Sequence, residues 1–153
     1  MKLKTFLLIF TFTVCAFRAT AESNSHTVHG YSELEKSVKL CRHKNCTIYI
    51  NKEQLRFPSQ ITLQSGNIAI VGKRQASGKY PMLNGQDKTR LFTIYKGAAA
   101  SFDRLVLKKG KADSGGALNI LGNVEYIRNC TFEGNQAGIV SALDCSLHHQ
   151  SVY

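Results

Sequence analysis

The sequence predicts an all-β fold, a right-handed parallel β-helix of about four short turns of about 25 residues with an N-terminal capping α-helix. The first supporting observation is an internal repeat, which at one constant offset aligns residues 105–107 with 130–132, Ala112 with Ala137, and residues 117–119 with 142–144. Gly97 and Gly122 have the same spacing. Residues 61–66 resemble residues 92–97 at a longer offset, so one turn should carry a longer loop, within residues 73–88.

Short runs in which apolar side chains alternate with others are the second observation. Leu105 and Leu107 face one way and Val106 the other, and the pattern recurs at Ile68 and Ile70. Period two over about four to six residues indicates strands, and the strands must stack in order to bury their inner faces. A β-sandwich is the alternative, but it needs hairpin turns and predicts no fixed register. The predicted inward residues are Ile61, Leu63, Ile68, Ile70, Phe92, Ile94, Leu105, Leu107, Leu118, Ile120, Ile127, Phe132 and Leu143.

A helical pattern near the N-terminus is the third observation. Ser32 and Glu35 have the spacing of a capping box, in which each side chain binds the backbone N–H of the other residue. Leu34, Val38 and Leu40 then follow as an apolar stripe. We expect residues 31–41 to form a short helix that covers the open backbone groups of the first turn.

Residues 1–21 have the pattern of a secretory signal, with Lys2 and Lys4 ahead of an apolar run and small residues at positions 19–21. The run is shorter than the roughly 20 residues of a membrane span, so we expect a secreted, extracellular protein without a span in its mature chain. The predicted organisation is a signal peptide (1–21), an N-terminal segment with the capping helix (22–46), the β-helix (47–144) and a tail (145–153).

Loss of this leader with Cys15 would leave four cysteines, an even number that suits disulfides in an exported chain. Cys41 and Cys46 are close enough in sequence for a small loop, which leaves Cys130 and Cys145. Four cysteines allow three pairings, and a reduced thiol packed in the core is the alternative for Cys130. Asn45 and Asn129 each begin an Asn-Cys-Thr sequon, so both are candidate N-glycosylation sites.

Basic residues are concentrated in the middle of the chain, where residues 73–111 contain ten basic and two acidic side chains. Two basic runs follow strands that we expect to be equivalent, which would place both runs on one edge of adjacent turns. Such an edge would bind an acidic extracellular polysaccharide or cell-surface glycan in a salt-dependent manner. The alternative is that these lysines only protect strand edges and keep the protein soluble. The candidate binding residues are Lys73, Arg74, Lys108, Lys109 and Lys111.

Nucleic acid is not an expected partner, because the predicted signal peptide would export the chain. No metal or cofactor is predicted either. Four of the five histidines fall in pairs at the two ends of the chain, His26 with His29 and His148 with His149, where we interpret them as polar tail residues rather than zinc ligands.

A polysaccharide-active enzyme is the alternative function, and the sequence favours it little. Glycosidases need two carboxylates on either side of the cleaved bond, and the acids of the predicted β-helix form no close pair. Arg104 and Arg128 could accept a proton in a lyase, but no acidic cluster for calcium accompanies them. We interpret Asp103 and Asp113 as solvated turn residues. The sequence therefore predicts no catalytic residues.

Two short motifs resemble those of a known family. Residues 115–118 (GGAL) and 132–135 (FEGN) resemble the paired GGA[ILV] and FxxN motifs of the polymorphic outer-membrane protein repeat, a β-helix module of the pectin-lyase-like group. The sequence of residues 61–142 resembles this repeat in its general pattern. The resemblance implies a β-helix at a cell surface, with adhesion as its usual role and no catalytic residues. The motif residues are Gly115, Gly116, Ala117, Leu118, Phe132 and Asn135.

Together these observations predict a secreted, non-catalytic β-helix module that serves adhesion or binds anionic glycans through a basic face. After Leu143 the sequence shows neither a further turn nor a cap. The tail could fold over the last turn, a second chain could stack there end to end, or the chain could be a truncated relative of a longer protein. The abrupt end of the pattern favours truncation.

Overall fold

The chain folds as a parallel β-solenoid of about five coils, as a computed structural model covering residues 24–137 and 143–145 shows. Every strand pairs in parallel with the equivalent strand of a neighbouring coil, and no hairpin joins strands within the described residues. The predicted stack of turns with a ~25-residue repeat is therefore confirmed, with about five coils rather than four. The β-sandwich alternative is excluded.

Four sheets run along the solenoid. Sheet A contains β1 (Asn24–Val28), β2 (Asn45–Ile50), β5 (Gly66–Gly72), β8 (Ala98–Asp103) and β12 (Asn123–Arg128). Sheet B contains β3 (Gln54–Arg56), β6 (Met82–Asn84), β9 (Val106–Lys108) and β13 (Thr131–Glu133). Sheet C contains β4 (Ile61–Leu63), β7 (Phe92–Ile94), β11 (Leu118–Ile120) and β15 (Leu143–Cys145), and the small sheet D contains β10 (Lys111–Ala112) and β14 (Gln136–Ala137). Coils 1 to 5 begin with the five strands of sheet A, in that order.

The register confirms both predicted offsets. Leu107 pairs with Phe132, as the shorter offset requires, and Ile61 pairs with Phe92, as the longer one requires. The extra residues of coil 3 lie mainly in the connection between β5 and β6, residues 73–81, inside the predicted segment. The equivalence of Gly97 and Gly122 is wrong by one residue. Asn123 pairs with Ala99, and a bulge between Val124 and Tyr126 then restores the common offset.

The core is a column of inward side chains with few polar members. Of the predicted inward residues, ten are buried, whereas Ile127 and Phe132 in coil 5 are only half-buried, and the side chain of Leu143 lies outside the described part of the chain. Four aromatic rings, those of Tyr31, Phe57, Phe92 and Phe102, follow one another through the core with centroids 5.2, 5.5 and 5.3 Å apart. Aromatic pairs at this spacing add to the free energy gained from burial.

Helix α1 (Tyr31–Leu40) forms as predicted and packs Leu34 and Val38 into the N-terminal end of the core. The predicted capping box is wrong. The N-cap is Gly30, two residues before the predicted Ser32, and Oε2 of Glu33 accepts a hydrogen bond of 2.7 Å from the backbone N–H of His29. Glu35 instead pairs with Lys39 one turn along. Strand β1 precedes this helix, so the solenoid includes residues that the sequence analysis placed ahead of the β-helix.

Asn135 joins coil 5 to coil 4 with both ends of its side-chain amide. Its Nδ2 donates to the carbonyl oxygen of Leu107 at 3.0 Å, and its Oδ1 accepts from the backbone N–H of Gly110 at 2.8 Å. Gly110 is the residue that stands one coil below Asn135, since Leu107 pairs with Phe132. This asparagine therefore replaces backbone hydrogen bonds where the chain turns between sheets B and D.

The GGAL segment is held by Arg90 of coil 3. The guanidinium donates to the carbonyl oxygens of Gly115 at 2.9 Å and Ser114 at 2.6 Å, and also reaches the hydroxyl of Thr93. The side chains of Ala117 and Leu118 are fully buried. Both motifs of the resemblance thus have defined structural roles in this solenoid.

Cys41 and Cys46 form a disulfide that ties the end of α1 to β2. Cys130 is a free thiol, and the side chain of Cys145 lies outside the described residues. Burial raises the pKa of the Cys130 thiol, and the nearby Asp103 carboxylate acts in the same direction, against the lowering effect of backbone hydrogen bonds at Leu105. Among the described residues, no helix is long and apolar enough to cross a membrane. The predicted signal peptide (residues 1–21) and residues 146–153 of the predicted tail lie outside the described residues.

Candidate functional site

A shallow groove runs along the outer face of sheet A. Its volume is about 360 Å³. We call it the sheet A groove. It crosses all five coils and is lined by Asn24, Ser25, Asn45, Cys46, Thr47, Tyr49, Asn67, Ala69, Ser101, Glu125 and Tyr126.

Small side chains form the floor of the groove. In a parallel sheet, residues paired in register stand in one row along the solenoid, and alternate residues of each strand point outward. Thr47, Ala69 and Ser101 occupy one such row in coils 2, 3 and 4. Because none of them is bulky, the middle of sheet A is lower than its ends, and this creates the groove.

A carboxylate stands over this floor because of the bulge in β12. Glu125 is the extra residue of the bulge, lying between the register pairs of Val124 and Tyr126. Its Oε1 accepts a hydrogen bond of 2.6 Å from Nδ2 of Asn67, and its Oε2 accepts one of 3.3 Å from the hydroxyl of Ser101. The side chain is thereby fixed across coils 3 and 4, with its negative charge exposed to solvent.

Each end of the groove has a half-buried tyrosine beside a cation. Tyr49 of coil 2 has Nζ of Lys73, from coil 3, 5.2 Å from its ring centroid, and the same Nζ donates to the hydroxyl of Thr27 in coil 1 at 3.2 Å. In coil 5, Cζ of Arg128 lies 4.5 Å from the ring centroid of Tyr126. Three coil spacings separate the two tyrosines, a distance of about 14 Å. The groove therefore has an aromatic ring and a positive charge at both ends.

Asp103 organises the cations at the edge of sheet A. Its side chain is 5% exposed and accepts a hydrogen bond of 3.0 Å from Nδ2 of Asn129. Nε of Arg104 lies 3.2 Å from Oδ2, and Nε of Arg128 lies 3.5 Å from Oδ1. The Arg104 contact is ionic and lacks hydrogen-bond geometry. The interpretation of Asp103 as a solvated turn residue is wrong, because the carboxylate is buried and paired with two arginines. Asp113 is exposed in its turn.

The predicted basic edge does not form as one surface. Lys73 and Arg74 follow β5 of sheet A, whereas Lys108, Lys109 and Lys111 lie in or next to β9 and β10 of sheets B and D. The two runs were expected to follow equivalent strands, and this is wrong: β5 pairs with β2 and β8, and β9 pairs with β6 and β13. A constant repeat length identifies equivalent strands only where the coils are equally long, and coil 3 is longer than the others.

The basic residues also differ in their surroundings. Lys73 lies beside Tyr49 of the sheet A groove, and Nε of Arg74 donates to the carbonyl oxygen of Gly78 within its own loop. Lys108 pairs in register with Glu133, and Lys109 forms an ion pair with Asp87 at 3.6 Å. Lys111, at the start of β10, pairs in register with Gln136. The corner of sheets B and D thus has acidic and amide neighbours among its lysines.

The two sequons lie at different parts of sheet A. Asn45 is exposed, opens β2 and lines the groove. Asn129 is exposed at the corner after β12, has a positive φ of 52°, and binds Asp103 through its amide. Whether either is glycosylated stays a prediction.

Comparison of the chain with protein-family models, with curated proteins and with solved structures finds no significant match. The site must therefore be interpreted from its own geometry. Sequence reasoning missed Tyr49, Tyr126, Asn67 and Glu125. Their common signal is that they occupy outward positions of one sheet, which becomes visible only once the register and the bulge are known.

Proposed function

We propose that the protein is a non-catalytic extracellular module that binds an acidic oligosaccharide along the sheet A groove. The main support for this proposal is the pair of tyrosines, each beside a cation, near the two ends of a groove whose floor consists of small, mostly polar residues. Aromatic rings offer a flat apolar surface to the C–H face of a sugar, and lysine or arginine binds its carboxylate or sulfate groups.

Different parts of the groove would contact different chemical groups of the ligand. Acidic groups of the sugar are placed near Lys73 and Arg128, where positive charge is available. Glu125 repels an anion at the middle but accepts hydrogen bonds from sugar hydroxyls, since a carboxylate is an acceptor only. Most of the affinity is therefore expected from the two ends, with salt weakening it.

We also propose that the chain is related to the polymorphic outer-membrane protein repeat. The structural roles of Asn135 and of the GGAL segment support kinship with the polymorphic outer-membrane protein repeat, whose usual role is adhesion at a surface. The Cys41–Cys46 disulfide supports a secreted protein, because disulfides persist in oxidising compartments. End-to-end stacking of a second chain on coil 5 would suit the half-buried state of Val124, Ile127 and Phe132.

The test is binding of the purified chain to immobilised acidic and neutral polysaccharides in a salt gradient, with an assay for released sugar. Retention on the acidic matrix alone, lost as salt rises, is expected, and no sugar should be released. Two single-charge variants locate the surface. Lys73→Ala should elute at lower salt, whereas Lys109→Ala, at the corner of sheets B and D, should elute with the parent.

A second pair of variants separates aromatic contact from charge. Tyr126→Ala should weaken retention, and Tyr95→Ala, which removes an exposed ring outside the groove, should not. If Lys109→Ala weakens binding and Lys73→Ala does not, the basic corner rather than the groove holds the ligand. Passage of the parent through every matrix would refute glycan binding, and released sugar would favour the enzyme.

A further inference from the structure

The N-terminal end of the solenoid brings together three side chains that can ligate a metal. His26 on β1, Cys41 directly after α1 and Cys46 on β2 have ligand atoms that all lie within 4.8 Å of one another. Both cysteines are buried, and His26 is partly exposed. The interpretation of His26 as a polar tail residue is wrong, because it lies within a strand of sheet A.

The parallel register explains why these residues meet. Asn24 pairs with Cys46 and His26 pairs with Ile48, so His26 lies on the same, inward side of sheet A as Cys46 and two residues along the strand. Helix α1 ends at Leu40, which brings Cys41 to the same place. The three residues come from three successive elements, and the cluster exists only because coil 1 contains a helix in place of sheets B and C.

The chemistry of the cluster depends on the state of the cysteines. In the disulfide, the two sulfur atoms are bonded to each other and are poor metal ligands. When the disulfide is reduced, two thiolates and an imidazole become available, which is the donor set of a Cys₂His zinc site with a fourth position for water. In a tetrahedral site with Zn–S of about 2.3 Å and Zn–N of about 2.0 Å, the ligand atoms stand about 3.5–3.8 Å apart, within the spread seen here.

We propose that His26, Cys41 and Cys46 form a redox-gated site for a thiophilic divalent cation of the zinc type. The disulfide and the metal are then alternative cross-links of the same three elements. A phosphine or dithiol reductant supplies two electrons to the disulfide and is itself oxidised, two protons convert the sulfurs to thiols, and binding of the cation releases both protons to solvent. The partly exposed imidazole provides the side from which the cation enters.

The test uses Co²⁺ as the spectroscopic substitute for Zn²⁺ on the full chain carrying Cys15→Ser, Cys130→Ser and Cys145→Ser, so that Cys41 and Cys46 are its only cysteines. After reduction under inert gas, one equivalent of Co²⁺ should produce thiolate-to-cobalt charge-transfer absorption, and Zn²⁺ should abolish it. The oxidised chain should show no charge-transfer absorption after addition of Co²⁺. Circular dichroism of the reduced chain with and without Zn²⁺ records whether it stays folded.

Two histidine variants decide whether the site is the one described. His26→Gln should weaken Zn²⁺ binding by more than about tenfold, the lower bound for the loss of even an outer-shell partner. His43→Gln is the matched control, because His43 lies between the cysteines in sequence but is exposed and outside the cluster. In the parent, Zn²⁺ should slow alkylation of Cys41 and Cys46, and in His26→Gln it should do so much less.

Three results would overturn the proposal. The first is a reduced chain that binds no Co²⁺, whether it remains folded or is unfolded and fails to refold with Zn²⁺. The second is an equal loss of affinity in His26→Gln and His43→Gln. The third is binding of the same strength by the oxidised chain, which would place the metal elsewhere. None of these results bears on the sheet A groove, so the glycan proposal stands or falls separately.

Discussion

Glu125 and Asn67 are joined by a hydrogen bond of 2.6 Å between Oε1 and Nδ2, although they lie two coils apart and far apart in sequence. The contact bridges coil 4, whose residue in the Asn67 row is Ala99. Alanine leaves room for the longer side chain to pass above it. The bulge in β12, the small residue in coil 4 and the amide in coil 3 therefore act together to hold a carboxylate over the groove.

Removing the charge of Glu125 tests its electrostatic role in the groove. Glu125→Gln keeps the size of the side chain but removes a negative charge from the middle of the site. The amide oxygen can still accept from Asn67, and the amide NH₂ can donate to the hydroxyl of Ser101. Affinity for an acidic polysaccharide should rise by about two- to fivefold, in line with a surface charge interaction of about 0.4–1 kcal/mol. Titration calorimetry at low and high salt measures this, and the gain should shrink at high salt. Weaker binding of the acidic ligand by Glu125→Gln would contradict the placement of the ligand.

Asn135→Ala should destabilise the solenoid by about 1–3 kcal/mol, because the backbone N–H of Gly110 and the carbonyl of Leu107 lose their partner. Asn123→Ala, which truncates an exposed asparagine at the start of β12, is the control and should change stability by about 0.5 kcal/mol or less. Denaturant unfolding followed by circular dichroism compares the two. Equal stability of both variants would show that Asn135 does not hold the coils together.

Gly110→Ala should be among the most damaging single changes in the chain, with a loss of about 3 kcal/mol or more. A Cβ at this position would lie 2.1 Å from the carbonyl oxygen of Gly116, a backbone atom that cannot move aside without shifting coil 4. Gly30→Ala offers the matched control, since a Cβ there meets nothing within 4 Å. The control should cost about 1 kcal/mol or less, the range for a poorer N-cap. Thermal unfolding of both variants provides the comparison.

The Cys130 thiol should react slowly with alkylating reagents at neutral pH. Its pKa is raised by burial, so a smaller fraction is thiolate than in a free cysteine, and the thiolate is the reactive form. The rate should keep rising at a pH where a cysteine peptide has already reached its plateau. The measurement is the pH–rate profile of iodoacetamide labelling in a variant carrying Cys15→Ser and Cys145→Ser with the Cys41–Cys46 disulfide intact. A profile that coincides with that of the peptide would contradict the burial of this thiol.

The fold was largely predictable because a solenoid repeats its own local signals. Ile61 and Leu63, Phe92 and Ile94, and Leu118 and Ile120 alternate in the same way in successive coils, and they pair in register as stacked parallel strands. Coil 1 was harder to predict from the sequence. Strand β1 carries only one buried apolar residue, Val28, so its pattern does not distinguish a strand from an irregular segment.

The candidate site was less predictable because it depends on which outward residues share a row. Coils 2, 3 and 4 differ in length, coil 3 being the longest, as the register pairs Asn45–Asn67, Asn67–Ala99 and Ala99–Asn123 show. An error of one residue moves every side chain to the opposite face of the sheet. The basic runs were assigned to equivalent strands because the extra length of coil 3 was not allowed for. Tyr49 and Tyr126 could not be recognised as residues of one groove until the register was known.

Parallel stacking also makes this molecule close to one-dimensional in its energetics. Each coil contacts chiefly the coil before and the coil after it, so a change at one end should be transmitted only through nearest neighbours. Substitutions near His26 and near Cys130 should then have additive effects on the free energy of unfolding, since several coils separate them. The bond between Glu125 and Asn67 is a coupling that skips a coil, and it ties the unfolding of coil 5 to that of coil 3.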